Sequence, residues 1–134
     1  MEESGAETKA APQVVFVREE EFPTLYANNL QVEASIWDLK VLFGILDQSV
    51  QPNRVVQHTA INLPWTQVKL IGYFLRLAVA LHEAENGKII IPVSVKPPDP
   101  AELKALPWAD TWAKMSPALK EEISEIYKSF VASL

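Results

Sequence analysis

The 134-residue chain contains no cysteine. This excludes disulfides, cysteine-ligated zinc, iron–sulfur clusters and thiol catalysis. It has two histidines, His58 and His82, so no metal site is expected. Four glycines are too few and too scattered for the glycine-rich loops that cradle phosphates. The longest apolar run, Leu70 to Leu81, is broken by Arg76 and is too short to span a bilayer. No cluster of Lys and Arg exists to neutralise phosphates, so neither nucleic acid nor membrane is expected as a partner. The first residues carry neither the basic nor the apolar region of a signal peptide. Together these absences predict a soluble, cytoplasmic protein without cofactor.

A content of 49% hydrophobic and 22% charged residues is that of a globular body. The net charge of −5 is uneven. Residues 1–21 hold six acids and two bases, whereas the remainder holds 11 acids and 10 bases. A near-neutral body lacks self-repulsion and associates readily. Three segments follow: an acidic, disordered tail over 1–21, an α+β core over 22–96 and a helical extension over 97–134.

From Thr24 to Ala34 apolar and polar residues alternate with period two, the signature of a strand. Ser35-Ile36-Trp37-Asp38 reads as a connection, with Asp38 capping it. A second strand runs from Leu39 to Leu46, where Gly44 marks a bulge or a close backbone approach. A third, rich in β-branched residues, runs from Arg54 to Leu63. Pro64 suits the first turn of a helix that extends to about Glu85, and Asn86-Gly87 supplies its stop. Lys88 to Val95 reads as a fourth strand, with Pro92 pointing to a sheet edge or a strand end. Asp99-Pro100 opens a short helix to about Leu106, ended by Pro107. Ser116-Pro117 opens a last helix with Leu119, Ile123, Ile126, Phe130 and Leu134 at helical spacing. The fold class is α+β: an antiparallel three- to four-stranded meander packed on one long helix, with a helical C-terminal extension.

The long helix carries its charges Lys69, Arg76 and Glu83 on one narrow stripe, and nearly everything else from Leu70 to Leu81 is apolar. A helix lying on one sheet should be polar over about half its circumference. This one needs a second cover, either the C-terminal segment or the same helix of another subunit. Leu70, Tyr73, Phe74, Leu77 and Leu81 are the candidate interface. Trp108 and Trp112, one helical turn apart, with Ile123 and Phe130, extend it, because tryptophans outside the main core are enriched at binding surfaces. They either close the domain or dock on another protein through residues 108–134.

Tyr26-Ala27-Asn28-Asn29, then Ser35-x-x-Asp38-Leu39, then Phe43-Gly44, then a strand and a Pro-started helix, then Glu85-Asn86-Gly87-Lys88-Ile89 form an ordered set. Over residues 22–92 it resembles a family of small bacterial and archaeal proteins known only as a domain of unknown function. The resemblance implies a small cytoplasmic prokaryotic protein with no assigned activity. Where that family tends to place Ser-Pro before the helix, this chain has Leu63-Pro64. The order of strands before a long helix also resembles the export chaperone SecB in outline.

Asn28, Asp38 and His58 are the candidate small-ligand residues, since an inward Asn carries both donors and acceptors. His82-Glu83 starts like a zinc-protease helix, but Asn86 stands where the second histidine is required. No nucleophile elbow accompanies Ser35, His58 and Asp38, so no catalytic residue is assigned. The functional expectation is a non-catalytic interaction protein, a homo-oligomeric scaffold or adaptor, most simply a dimer. A SecB-like holdase chaperone and a small-ligand module or weak enzyme are the alternatives.

Overall fold

A computed structural model of the chain describes residues 13–102 and 108–134. The first twelve residues of the expected tail, and Leu106 and Pro107 at the expected helix stop, lie outside the described residues. The chain divides into two compact units, Met1–Val68 and Lys69–Leu134. The architecture is α+β. Strands β1 (Asn29–Ala34), β2 (Asp38–Asp47) and β3 (Arg54–Pro64) precede a long helix α1 (Trp65–Asn86), followed by α2 (Trp108–Lys114) and α3 (Pro117–Ala132). Residues 13–28 form no helix or strand.

The sheet is a meander in the order β1-β2-β3. β1 pairs antiparallel with β2 from Asn29 opposite Gly44 to Ala34 opposite Leu39. β2 pairs antiparallel with β3 from Asp38 opposite Pro64 to Asp47 opposite Arg54. The register shifts at Phe43/Gly44: Phe43 faces Thr59 and Gly44 faces Gln57, so His58 is the extra residue of a bulge. Gly44 is needed there. A Cβ on it would lie 2.7 Å from the Val56 carbonyl oxygen and 3.0 Å from the Gln57 Cα, contacts that no side chain tolerates. The bulge and the close approach expected at Gly44 are both present. The Gln51–Pro52 bond in the β2–β3 loop is cis.

β1 starts at Asn29 rather than Thr24, because the Asn28 side chain takes over the acceptor role that a main-chain carbonyl would have in the ladder. Pro64 closes β3 instead of opening α1, since it still pairs opposite Asp38. α1 ends as expected: Gly87 has φ +87° and its amide donates to the Glu83 carbonyl at 2.9 Å. The expected fourth strand is absent. Residues 88–92 make no ladder, and a single 3₁₀ turn spans Val93–Val95. Instead of finding a strand partner, the Ile89 amide donates to Glu83 Oε2 at 2.9 Å. Of the helix expected after Pro100, a 3₁₀ turn over Pro100–Glu102 is described. α2 falls within the expected helical extension and carries Trp108 and Trp112. α3 opens as the sequence predicts, with Ser116 accepting from the Leu119 amide at 3.2 Å and Pro117 in its first turn.

Candidate functional site

The Tyr26–Asn29 motif lies where the chain enters the sheet. The Asn28 amide donates to the Gly44 carbonyl at 3.1 Å, and Asn28 Oδ1 accepts from the Leu46 amide at 2.7 Å. Both bonds go to main chain, so the side chain mimics a carbonyl and prolongs the ladder. His58 serves the same segment from the far strand. Its Nε2 lies 2.8 Å from the Tyr26 carbonyl oxygen, and its Nδ1 lies 2.7 Å from Thr59 Oγ1. The carbonyl can only accept, so Nε2 carries a proton and donates to Tyr26. Asn29 Oδ1 is buried and has no hydrogen-bond partner.

Asp38 belongs to the opposite end of β2. Ser35 Oγ accepts from the Trp37 and Asp38 amides, each at 3.1 Å, and lies 3.1 Å from Asp38 Oδ1. The Ser35 carbonyl accepts from Trp65 Nε1 at 2.9 Å. The turn is therefore locked by its own polar groups. Asp38 and Ile45, whose neighbours hold Asn28, are seven residues apart along β2, roughly 23 Å at the strand rise. The structure brings Asn28 and His58 to one end of the sheet and leaves Asp38 at the other. The three do not form one pocket.

Apolar surface is the dominant feature of both units. In the sheet, Leu30, Val32 and Ala34 share a face with Leu39, Val41 and Phe43 and with Thr59, Ile61 and Leu63, by register and alternation. Val41, at the centre, is 7% exposed and is the only buried hydrophobic residue among the described residues. In α1, Leu70, Phe74, Leu77, Leu81 and Ala84 follow a four–three spacing and so share one stripe of the helix. Leu70, Tyr73, Phe74, Leu77 and Leu81 are 44–60% exposed. No residue of α1 or α3 is buried.

The other side of α1 faces α3 across an open groove of about 910 Å³. Leu75 and Val79 form one wall, Ile126 and Phe130 the other, and Ile89 and Ile91 close an end. The loop that carries Ile89 is held by Glu83 and by Lys88 Nζ, which donates to the main-chain oxygen of Leu134. Leu75, Val79, Ile89 and Ile126 were not among the expected interface residues. For Leu75 and Val79 the signal was a second apolar stripe on α1, hidden because the helix is apolar nearly all round. Of the expected extension residues, Phe130 lines this groove and Ile123 is half-buried. Trp112 stacks under Lys120 Nζ at 5.8 Å from the ring centre. The Trp108 side chain lies outside the described residues.

His82, one turn before the end of α1, has its ring 3.4 Å from Asn86 Nδ2. Among the described residues no group of three or more His, Asp or Glu could hold a metal ion, and no helix is long and apolar enough to cross a membrane. No family model, curated protein or solved structure matches the chain.

Proposed function

We propose that the chain is a non-catalytic protein-interaction module that works as a homodimer, a scaffold or adaptor in the cytoplasm, with the Leu70/Phe74/Leu77/Leu81 seam of α1 as its self-association surface. One observation carries the reading: a chain that is 49% hydrophobic buries one hydrophobic side chain, Val41, among its described residues. Domains of this length normally bury a contiguous core. The seam is self-complementary because its four–three spacing is the spacing a second copy presents.

The magnitudes set how tight such pairing is. Each of the four seam residues is about half exposed. Covering the rest contributes roughly 4 kcal/mol per helix and roughly 8 kcal/mol per pair. Lost translational and rotational freedom costs about 4–15 kcal/mol. The seam alone therefore yields a weak dimer, and a stable one draws on further surface.

The test is absolute mass by light scattering after size separation. The full chain is expected at twice its 15.0 kDa chain mass. A full chain of single mass at every concentration overturns the reading. The open groove between α1 and α3 favours a second reading, a SecB-like holdase that offers apolar surface to unfolded chains. That reading requires suppression of another protein's aggregation at substoichiometric amounts, which a scaffold does not show.

A further inference from the structure

Val14, Val15, Phe16 and Val17 are 71%, 80%, 91% and 83% exposed and belong to no helix or strand. Four consecutive β-branched or aromatic residues, without Pro or Gly, are the composition of a strand. Left open, such a run is an aggregation hazard. Among the described residues, neither this run nor the outer edge of β1 makes a main-chain hydrogen bond.

The two edges of the sheet are not equivalent. The β3 edge carries the His58 bulge, a device that twists an edge away from further pairing. The β1 edge runs in regular register for six residues, Asn29 to Ala34, without Pro, Gly or bulge. It can accept another strand. In a single chain, His58 of the far strand holds the Tyr26 carbonyl at 2.8 Å. This ties the segment entering β1 toward β3 and away from the β1 edge.

We propose that Val14–Val17 of one copy adds as a fourth strand to the β1 edge of a second copy, and reciprocally. The unpaired run and the unpaired edge occur in the same chain, so a two-fold pair satisfies both at once and leaves no β1 edge open. Arg18 and Glu19–Glu21, directly after the run, act as charged gatekeepers that stop further addition. This inference rests on the self-association reading but does not need the α1 seam.

The absence of native cysteine makes the test direct. Full-length chains carrying Val14→Cys, Val15→Cys, Phe16→Cys or Val17→Cys are each refolded with differently tagged chains carrying Leu30→Cys or Val32→Cys and then oxidised. Strand side chains alternate, and a disulfide needs Cβ atoms close together. The expected result is cross-linking between the two tags for positions 14 and 16, or for 15 and 17, but not for both sets. Equal yields from both sets, or none, overturn the proposal. So does an internal link in a monomer carrying both Val15→Cys and Val32→Cys or both Phe16→Cys and Val32→Cys. Amide exchange on the unmodified chain separates this idea from its premise. Protection of the 14–17 amides by tenfold or more in a dimer supports both. A dimer whose 14–17 amides exchange as in a free chain overturns the strand while leaving self-association. A monomer overturns both.

Discussion

In the sheet, side chains finish what the main chain begins. Asn28 stands in for a carbonyl, Ser35 locks a turn, His58 ties down Tyr26, and Gly44 lets β3 come close. In α1 and α3 most apolar side chains stay exposed: neither helix buries a residue. The sheet is specified by polar contacts with named partners. The helices are specified by their period and their end signals, and their apolar faces stay open. The first kind of order breaks at a point, and the second only when a whole stripe is interrupted.

The largest expected effect falls on the helices. Leu77→Asp places a charge in the middle of the α1 stripe and should return the proposed dimer to single-chain mass or leave the chain insoluble. A soluble variant of unchanged mass would remove α1 from the interface. Next, Gly44→Ala should strike the sheet alone. The clash with the Val56 carbonyl is expected to cost about 3 kcal/mol, read as loss of β amide signals while helical circular dichroism survives. If both were lost together, the two units would be one cooperative structure.

Smaller changes sharpen the same contrast. Asn28→Ala removes the acceptor for the Leu46 amide and should destabilise the sheet by about 1 kcal/mol in denaturant melts; retention of full stability would return Asn28 to the ligand candidates. Gly87→Ala forces a side chain into positive φ and should cost about 1 kcal/mol, seen as fraying of the α1 end. The smallest effect is at Asp47. Hydrogen bonds from the Ser49 hydroxyl at 2.5 Å and amide at 2.9 Å, with Arg54 beyond them, hold its carboxyl below the ordinary value of 3.8. A lowered folded-state pKa means stabilisation that is complete above that ordinary value and fades as pH falls through the folded one. Asp47→Asn should therefore be slightly less stable than the parent at neutral pH and indistinguishable in strong acid. A difference that persisted in acid would assign the effect to geometry instead of charge.

Local features were legible in the sequence because their causes are local. Ser116-Pro117 and Asn86-Gly87 bound helices through groups a few residues away, and the three strand patterns share one period. Nonlocal features were not legible. Lys88 to Val95 has the composition of a strand, but a strand exists only if an edge is there to receive it. Asn28 could hold a ligand or a backbone, and only the residue opposite decides. Asp38 opens β2, whereas His58 sits in the β3 bulge opposite Phe43 and Gly44. The exposed Val14–Val17 run could have been read as a strand in search of an edge, but the acidic residues around it drew it into the tail.

The meander has a consequence for how the chain is made. Each strand pairs only with its neighbour in sequence, and hairpins close in about 1–10 μs. At about 5–20 residues per second, synthesis of the 22 residues of α1 takes roughly one to four seconds. On the ribosome each hairpin can thus close as its strands emerge, while the helical part of the chain is still being delivered. The nascent chain between Asn29 and Pro64 is then most in need of protection, and neighbouring ribosomes on one message are the first place where two copies can meet.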